Sequence, residues 1–179
     1  MFQAPIRLLL TLRPKIPLGV LVATAVSTVV FASTPFLVRG VAAEFDVEIG
    51  AVGLISTAQL GGFMLASWGA GRFLRPRRRT MTAAVVLGIV ANVASGLIPW
   101  FAVLVPLRFV SGISLGLIAW VAWAEVFGDT DKTGDVAVIG PIVGTIASPI
   151  VAVIIDRSGV DLLFIGLGAL HLVPLAFIR

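Results

Sequence analysis

Hydrophobic positions in this chain run in blocks, and polar positions collect in the short gaps between them. A helix needs about 20 apolar residues to cross the hydrocarbon core of a bilayer. Six blocks meet that length: Pro17 to Val38, Ile49 to Ala70, Thr80 to Ile98, Phe101 to Val126, Val136 to Ile155 and Leu162 to Ile178. The pattern predicts an all-α, polytopic membrane protein, with residues 1–179 as one six-helix transmembrane domain. The gaps hold Glu44, Asp46 and Glu48, then an arginine knot, a Pro99-Trp100 turn, the Gly128 to Gly134 loop and the Asp156 to Gly159 turn.

Composition agrees with the pattern. Soluble domains carry roughly a quarter charged residues; this chain carries 12%, with 59% hydrophobic residues and a mean hydropathy of +1.11. So much apolar surface must face lipid. Arg7, Arg13 and Lys15 before the first block resemble a signal-peptide n-region. The block is too long for a signal h-region, and Ser33-Thr34-Pro35-Phe36 makes a poor cleavage site, so it reads as a retained span.

Charge then orients the chain. Arg72, Arg75, Arg77, Arg78 and Arg79 sit between the second and third blocks. With six spans, Arg7, Arg13, Lys15, the five knot arginines, Lys132 and Arg179 fall on one side, and Arg39 and Arg157 on the other. Cytoplasmic loops retain Lys and Arg, so both termini are expected in the cytoplasm. Eleven arginines against two lysines hint at a GC-rich bacterial genome, and the expected location is a bacterial cytoplasmic (inner) membrane.

Several chemistries are excluded. The basic residues lack the aromatic interleaving of a nucleic-acid groove, so no nucleic acid is expected as a partner. No cysteine is present, and His171 is the sole histidine, which argues against a metal centre. No phosphate-cradling loop with its lysine and no catalytic constellation occurs, so neither an enzyme nor a bound cofactor is expected.

Polar groups inside the blocks are the candidates for function, because an unpaired polar group in hydrocarbon costs several kcal/mol. Gln59 and Asn92, near the middles of spans two and three, are either cavity ligands or interhelical glue. Arg108, in span four, either faces the bundle interior with a partner or snorkels to the nearby outer interface. Thr24, Ser27 and Thr28 are expected to bond their own helix carbonyls. Glu125 and Asp135 are placed at the cytoplasmic surface, and His171 near the inner interface, as a packed or interfacial side chain. Gly112 and Gly116, Gly140 and Gly144 repeat at a spacing of four, which favours close helix packing. Pro141 and Pro149 should kink span five.

Three stretches resemble the N-terminal six-helix half of a major facilitator superfamily transporter. Gly69-Ala-Gly-Arg-Phe-Leu-Arg-Pro-Arg-Arg-Arg79 matches the family's loop between spans two and three at Gly69, Arg77 and Arg78. Phe73 stands where the family has an acidic gate residue, and Pro76 replaces a glycine. Arg108-Phe-Val-Ser-Gly112 matches an arginine followed four residues later by glycine, which the family associates with proton coupling. Ser148-Pro149 through Asp156-Arg-Ser-Gly159 resembles an antiporter stretch, with Ser148, Ala152 and Val153 replacing glycines. The resemblance implies a half-size secondary transporter that moves a small solute by alternating access. Arg108, Arg77, Arg78 and Gly69 would serve coupling or gating, and Gln59 and Asn92 the cavity. The family pairs two six-helix halves around the substrate, so the bilayer partner would be a second copy, a complementary half or a larger membrane complex. The alternative reading is a non-transporting subunit of such a complex.

Overall fold

The computed structural model describes residues 16–178. Arg7, Arg13, Lys15 and Arg179, counted above, lie outside the described residues. Among these residues the fold is all-α, without strands. Helix α1 (Leu18–Ser33) runs through a 3-10 turn (Thr34–Phe36) into α2 (Leu37–Phe45). Pro35 sits in that turn, where its missing N–H costs least. The Asp46 backbone is left-handed, with φ 50°, and the Val47 N–H donates to the Ala42 carbonyl at 3.2 Å, which ends α2. Helices α3 (Ile49–Phe73), α4 (Arg78–Ser95) and α5 (Phe101–Val126) follow. The helical stretch α6 (Thr130–Leu170) and a last helix, α7 (Leu172–Phe177), complete the bundle.

Among the described residues, four stretches are long and apolar enough to cross a membrane: Leu18–Phe45, Ile49–Phe73, Phe101–Val126 and Thr130–Phe177. Six were expected. Two physical reasons account for the difference. Helix α4 has only 18 residues, begins with Arg78 and Arg79, and carries Asn92, which together lower its hydropathy. The fifth and sixth expected spans form one helical stretch, because helix continues through Asp156 and Arg157, where a connector was expected.

That stretch is not straight. Gly159 has φ 79° and ψ 174°, outside helical geometry and favourable only without a Cβ. On one straight helix Val143 and Leu170 would stand about 40 Å apart. Both nevertheless line a single apolar cavity of about 370 Å³, with Ile146, Ile150, Leu163 and Leu167. The chain therefore folds back at Gly159 into two arms, 130–158 and 160–170. The Glu44 carboxylate accepts from the Val160 N–H at 3.1 Å, so α2 caps the second arm. His171 interrupts the last helix because Pro174, three residues on, has no N–H to offer the Leu170 carbonyl.

Other boundaries shift for local reasons. Asp129 accepts from the N–H groups of Asp131 and Lys132, which starts α6 inside the expected Gly128 to Gly134 loop. Glu44 belongs to α2 rather than to a connector.

Two apolar clusters hold the bundle. One joins Val20 and Ala23 of α1, Ala84 and Val85 of α4, and Ile118 and Val121 of α5. The other joins Val30, Leu37, Ile55, Leu104, Leu115 and Phe164. Helices α3 and α5 meet through glycines. A Cβ at Gly62 would strike the Phe109 carbonyl, one at Gly112 the Gln59 carbonyl, and one at Gly116 the Phe63 carbonyl. Gly140 and Gly144, expected to pack in the same manner, face open space, and Pro149 is exposed. Their arm packs sparsely, so its small residues meet no neighbouring backbone.

Candidate functional site: a buried arginine held by neutral groups

Arg108 is the largest fully buried side chain among the described residues. It extends from α5 into the bundle interior rather than towards an interface. Its Nη1 donates to Asn92 Oδ1 at 3.1 Å. Its Nη2 donates to Asn92 Oδ1 at 3.1 Å, to Ser95 Oγ at 2.6 Å and to the Ala91 carbonyl at 3.3 Å. The guanidinium carbon lies 4.5 Å from the Phe164 ring centroid, a cation–π contact. Asn92 and Ser95 are one helical turn apart, so α4 presents both to the same group. Each is itself anchored: Asn92 Nδ2 donates to the Gly88 carbonyl at 2.8 Å, and Ser95 Oγ to the Ala91 carbonyl at 2.7 Å.

Every acceptor around Arg108 is neutral. Among the described residues the sole ion pair is Lys132–Asp129, at 3.5 Å, on the surface. Removing a charge from water without a counter-ion costs several kcal/mol, so neutral dipoles must offset that cost. They do so incompletely, since Arg108 Nε has no hydrogen-bond partner.

The polar region continues along α5. Ser111, one turn after Arg108, is buried, and its Oγ has no partner. Ser114, one turn further, donates to the Ala84 carbonyl at 2.7 Å. His171 enters from the second arm and is fully buried against Gly88 of α4. Its Nδ1 lies 2.7 Å from the Leu167 carbonyl. A carbonyl only accepts, so the proton is assigned to Nδ1. Nε2 of the neutral ring is then an acceptor, and it has no partner.

No protein-family model matches the chain, and no curated protein does.

The other sequence candidates lie apart. Gln59 is buried at the base of a groove of about 390 Å³ lined by Phe31, Thr34, Pro35, Ser56 and Leu60. Its Nε2 donates to Thr34 Oγ1 at 3.2 Å, while its Oε1 is unpartnered. Asn92, by contrast, belongs to the Arg108 cluster, so these two candidates do not share a cavity. Arg77 and Arg78 are exposed, and Gly69 has open space where a Cβ would go. Thr24 and Thr28 donate to the carbonyls of Val20 and Thr24, at 2.9 and 3.0 Å.

Sequence reasoning missed Ser95 and Ser111, and it left His171 as either packed or interfacial. The first two had a readable signal, because they stand three residues after Asn92 and Arg108 and so share their helix faces. His171 had none. Its burial depends on the fold-back at Gly159.

Proposed function

We propose that this domain is one wall of a secondary transporter for a small solute, built on the six-helix plan of a major facilitator half. In this reading α4 and both arms of the Gly159 hairpin, the second continued by α7, cross the bilayer, giving six crossings with the arginine knot in the cytoplasm. A second six-helix unit, from another copy or a complementary chain, forms the opposite wall. The observation that carries the reading is Arg108: a buried cation held only by neutral dipoles. Such a charge is expensive in a membrane protein and is generally kept for function. Here the cluster is enclosed, and opening of the bundle in a transport cycle would bring Arg108 to a carboxylate or other anionic group. Asn92 and Ser95 position it, and the Arg77–Arg78 loop serves the cytoplasmic gate.

A second reading, a non-transporting subunit of a larger membrane complex, has its own support. Among the described residues no carboxylate pairs with Arg108, and the cluster is enclosed.

Native mass of the gently solubilised protein separates the readings first. A homodimer, or a pair with another six-span chain, supports transport. The follow-up is counterflow in proteoliposomes with a panel of small carboxylates, sugars and amino acids, and flux should be lost in Arg108→Gln. Fixed stoichiometry in a large complex, with no flux for any panel member, refutes the transporter.

A further inference from the structure

Arg72, Arg75, Arg77, Arg78 and Arg79 are all exposed, and none forms an ion pair with a described carboxylate. Glu125 is the acidic residue near them. It lines a separate groove with Arg77 and Arg78, beyond ion-pair distance.

Two observations put the knot at the boundary between lipid and water. The Arg72 guanidinium lies 4.1 Å from the centroid of the Trp68 ring, and Trp68 is 58% exposed. An exposed Trp one turn below a basic cluster is the usual occupant of the headgroup layer. Phe73, 77% exposed, and Leu74 interleave with the arginines, so greasy and basic side chains share one surface.

A groove of about 450 Å³ leads away from this layer. Arg78 and Arg79 form its charged end, and Thr82, Ala83 and Val86 form its wall. Arg79, Ala83, Val86 and Val90 are exposed along one stripe of α4, with cations at the water end and hydrocarbon below. Glu125 does not line this groove.

We infer that this groove is a site for an anionic phospholipid. Arg78 and Arg79 take the phosphodiester, for which the guanidinium fork is well matched, and one acyl chain lies along Thr82, Ala83 and Val86. Charge complementarity selects the occupant: adjacent cations that pair with no described carboxylate, opening onto an apolar trough at headgroup depth. The inference holds whether or not the domain transports a solute.

The test titrates the purified full chain in mild detergent with dioleoylphosphatidylglycerol or dioleoylphosphatidylcholine and reads bound lipid by native mass spectrometry. Juxtamembrane arginines contribute enough that two of them should favour the anionic lipid about 30-fold. The double variant R78Q/R79Q should erase that preference. The charge-matched control R39Q/R157Q should keep it. Val86→Trp, which fills the trough and leaves every charge in place, should weaken phosphatidylglycerol binding. Excess inorganic phosphate should not displace the lipid. The inference is overturned if R78Q/R79Q keeps the preference, if the control loses it equally, or if inorganic phosphate competes fully while Val86→Trp has no effect. Should the double variant fail to fold, R78Q and R79Q singly and Val86→Trp carry the same decision.

Discussion

Replacing Asn92 by leucine should destabilise the protein more than removing the arginine it serves. Asn92 Oδ1 accepts two of the four hydrogen bonds made by the Arg108 guanidinium, each at 3.1 Å. A bond to a charged group contributes about 1.5–3 kcal/mol in water-soluble proteins, and interhelical bonds in membranes average nearer 0.6 kcal/mol. Stranding a buried charge adds to the loss. Asn92→Leu should therefore cost about 2–3 kcal/mol. Arg108→Met removes the charge together with its desolvation cost. Asn92 Nδ2 and Ser95 Oγ keep their own carbonyl partners, so Asn92 Oδ1 alone is stranded. The cost should be within about 1 kcal/mol. The double variant should resemble Arg108→Met, with a coupling of about 2 kcal/mol in a double-mutant cycle. Reversible unfolding in mixed micelles, followed by circular dichroism, measures all three. If Asn92→Leu costs no more than Arg108→Met, the guanidinium reaches water and the neutral cage is not what holds it.

Gly112→Ala should push α3 from α5 and cost about 2 kcal/mol or more, whereas Gly144→Ala, on an open face, should stay within about 0.5 kcal/mol; the same unfolding assay compares them. Glu44→Ala should speed hydrogen exchange at the Val160 amide, and unchanged exchange would remove Glu44 as the cap of the second arm. Asp129 is held below the ordinary aspartate pKa chiefly by the Lys132 N–H, with Lys132 charge and the Asp131 N–H adding to it. Its cap is thus fully present above the unfolded-state pKa and is lost as pH falls through the lower folded value. Protection factors at amides 131–133, taken against the intrinsic exchange rate at each pH, should fall in acid, and Asp129→Asn should abolish that pH dependence while keeping a cap.

Helix positions were readable from the chain because they follow from block length, and α5 begins and ends where the apolar block does. The number of separate stretches was not readable, because it depends on Gly159, whose reversal looks in sequence like a connector of Asp, Arg, Ser and Gly. Arg108 and Asn92 stood out singly as polar residues inside apolar blocks. Their pairing was hidden, since it depends on how α4 and α5 rotate against each other. The glycines at 112 and 116 and those at 140 and 144 have identical spacing, yet only the first pair meets a neighbouring backbone. Spacing marks a face that permits close approach, and the rest of the bundle decides whether anything approaches.

The neutral cage around Arg108 also bears on how the chain enters a membrane. A lone arginine inside an inserting helix is penalised, by up to about 2.5–3.5 kcal/mol at the helix centre on translocon scales. The hydrogen-bond acceptors that relieve this penalty are all on α4, which is synthesised first and is joined to α5 by the five residues from Gly96 to Trp100. Helix α4, itself the least hydrophobic candidate for partition, carries Asn92 and Ser95, which gain a partner at the same moment. In the proposed six-crossing arrangement each helix lowers the other's cost of leaving water, and α4 and α5 are expected to enter as a single hairpin rather than in succession.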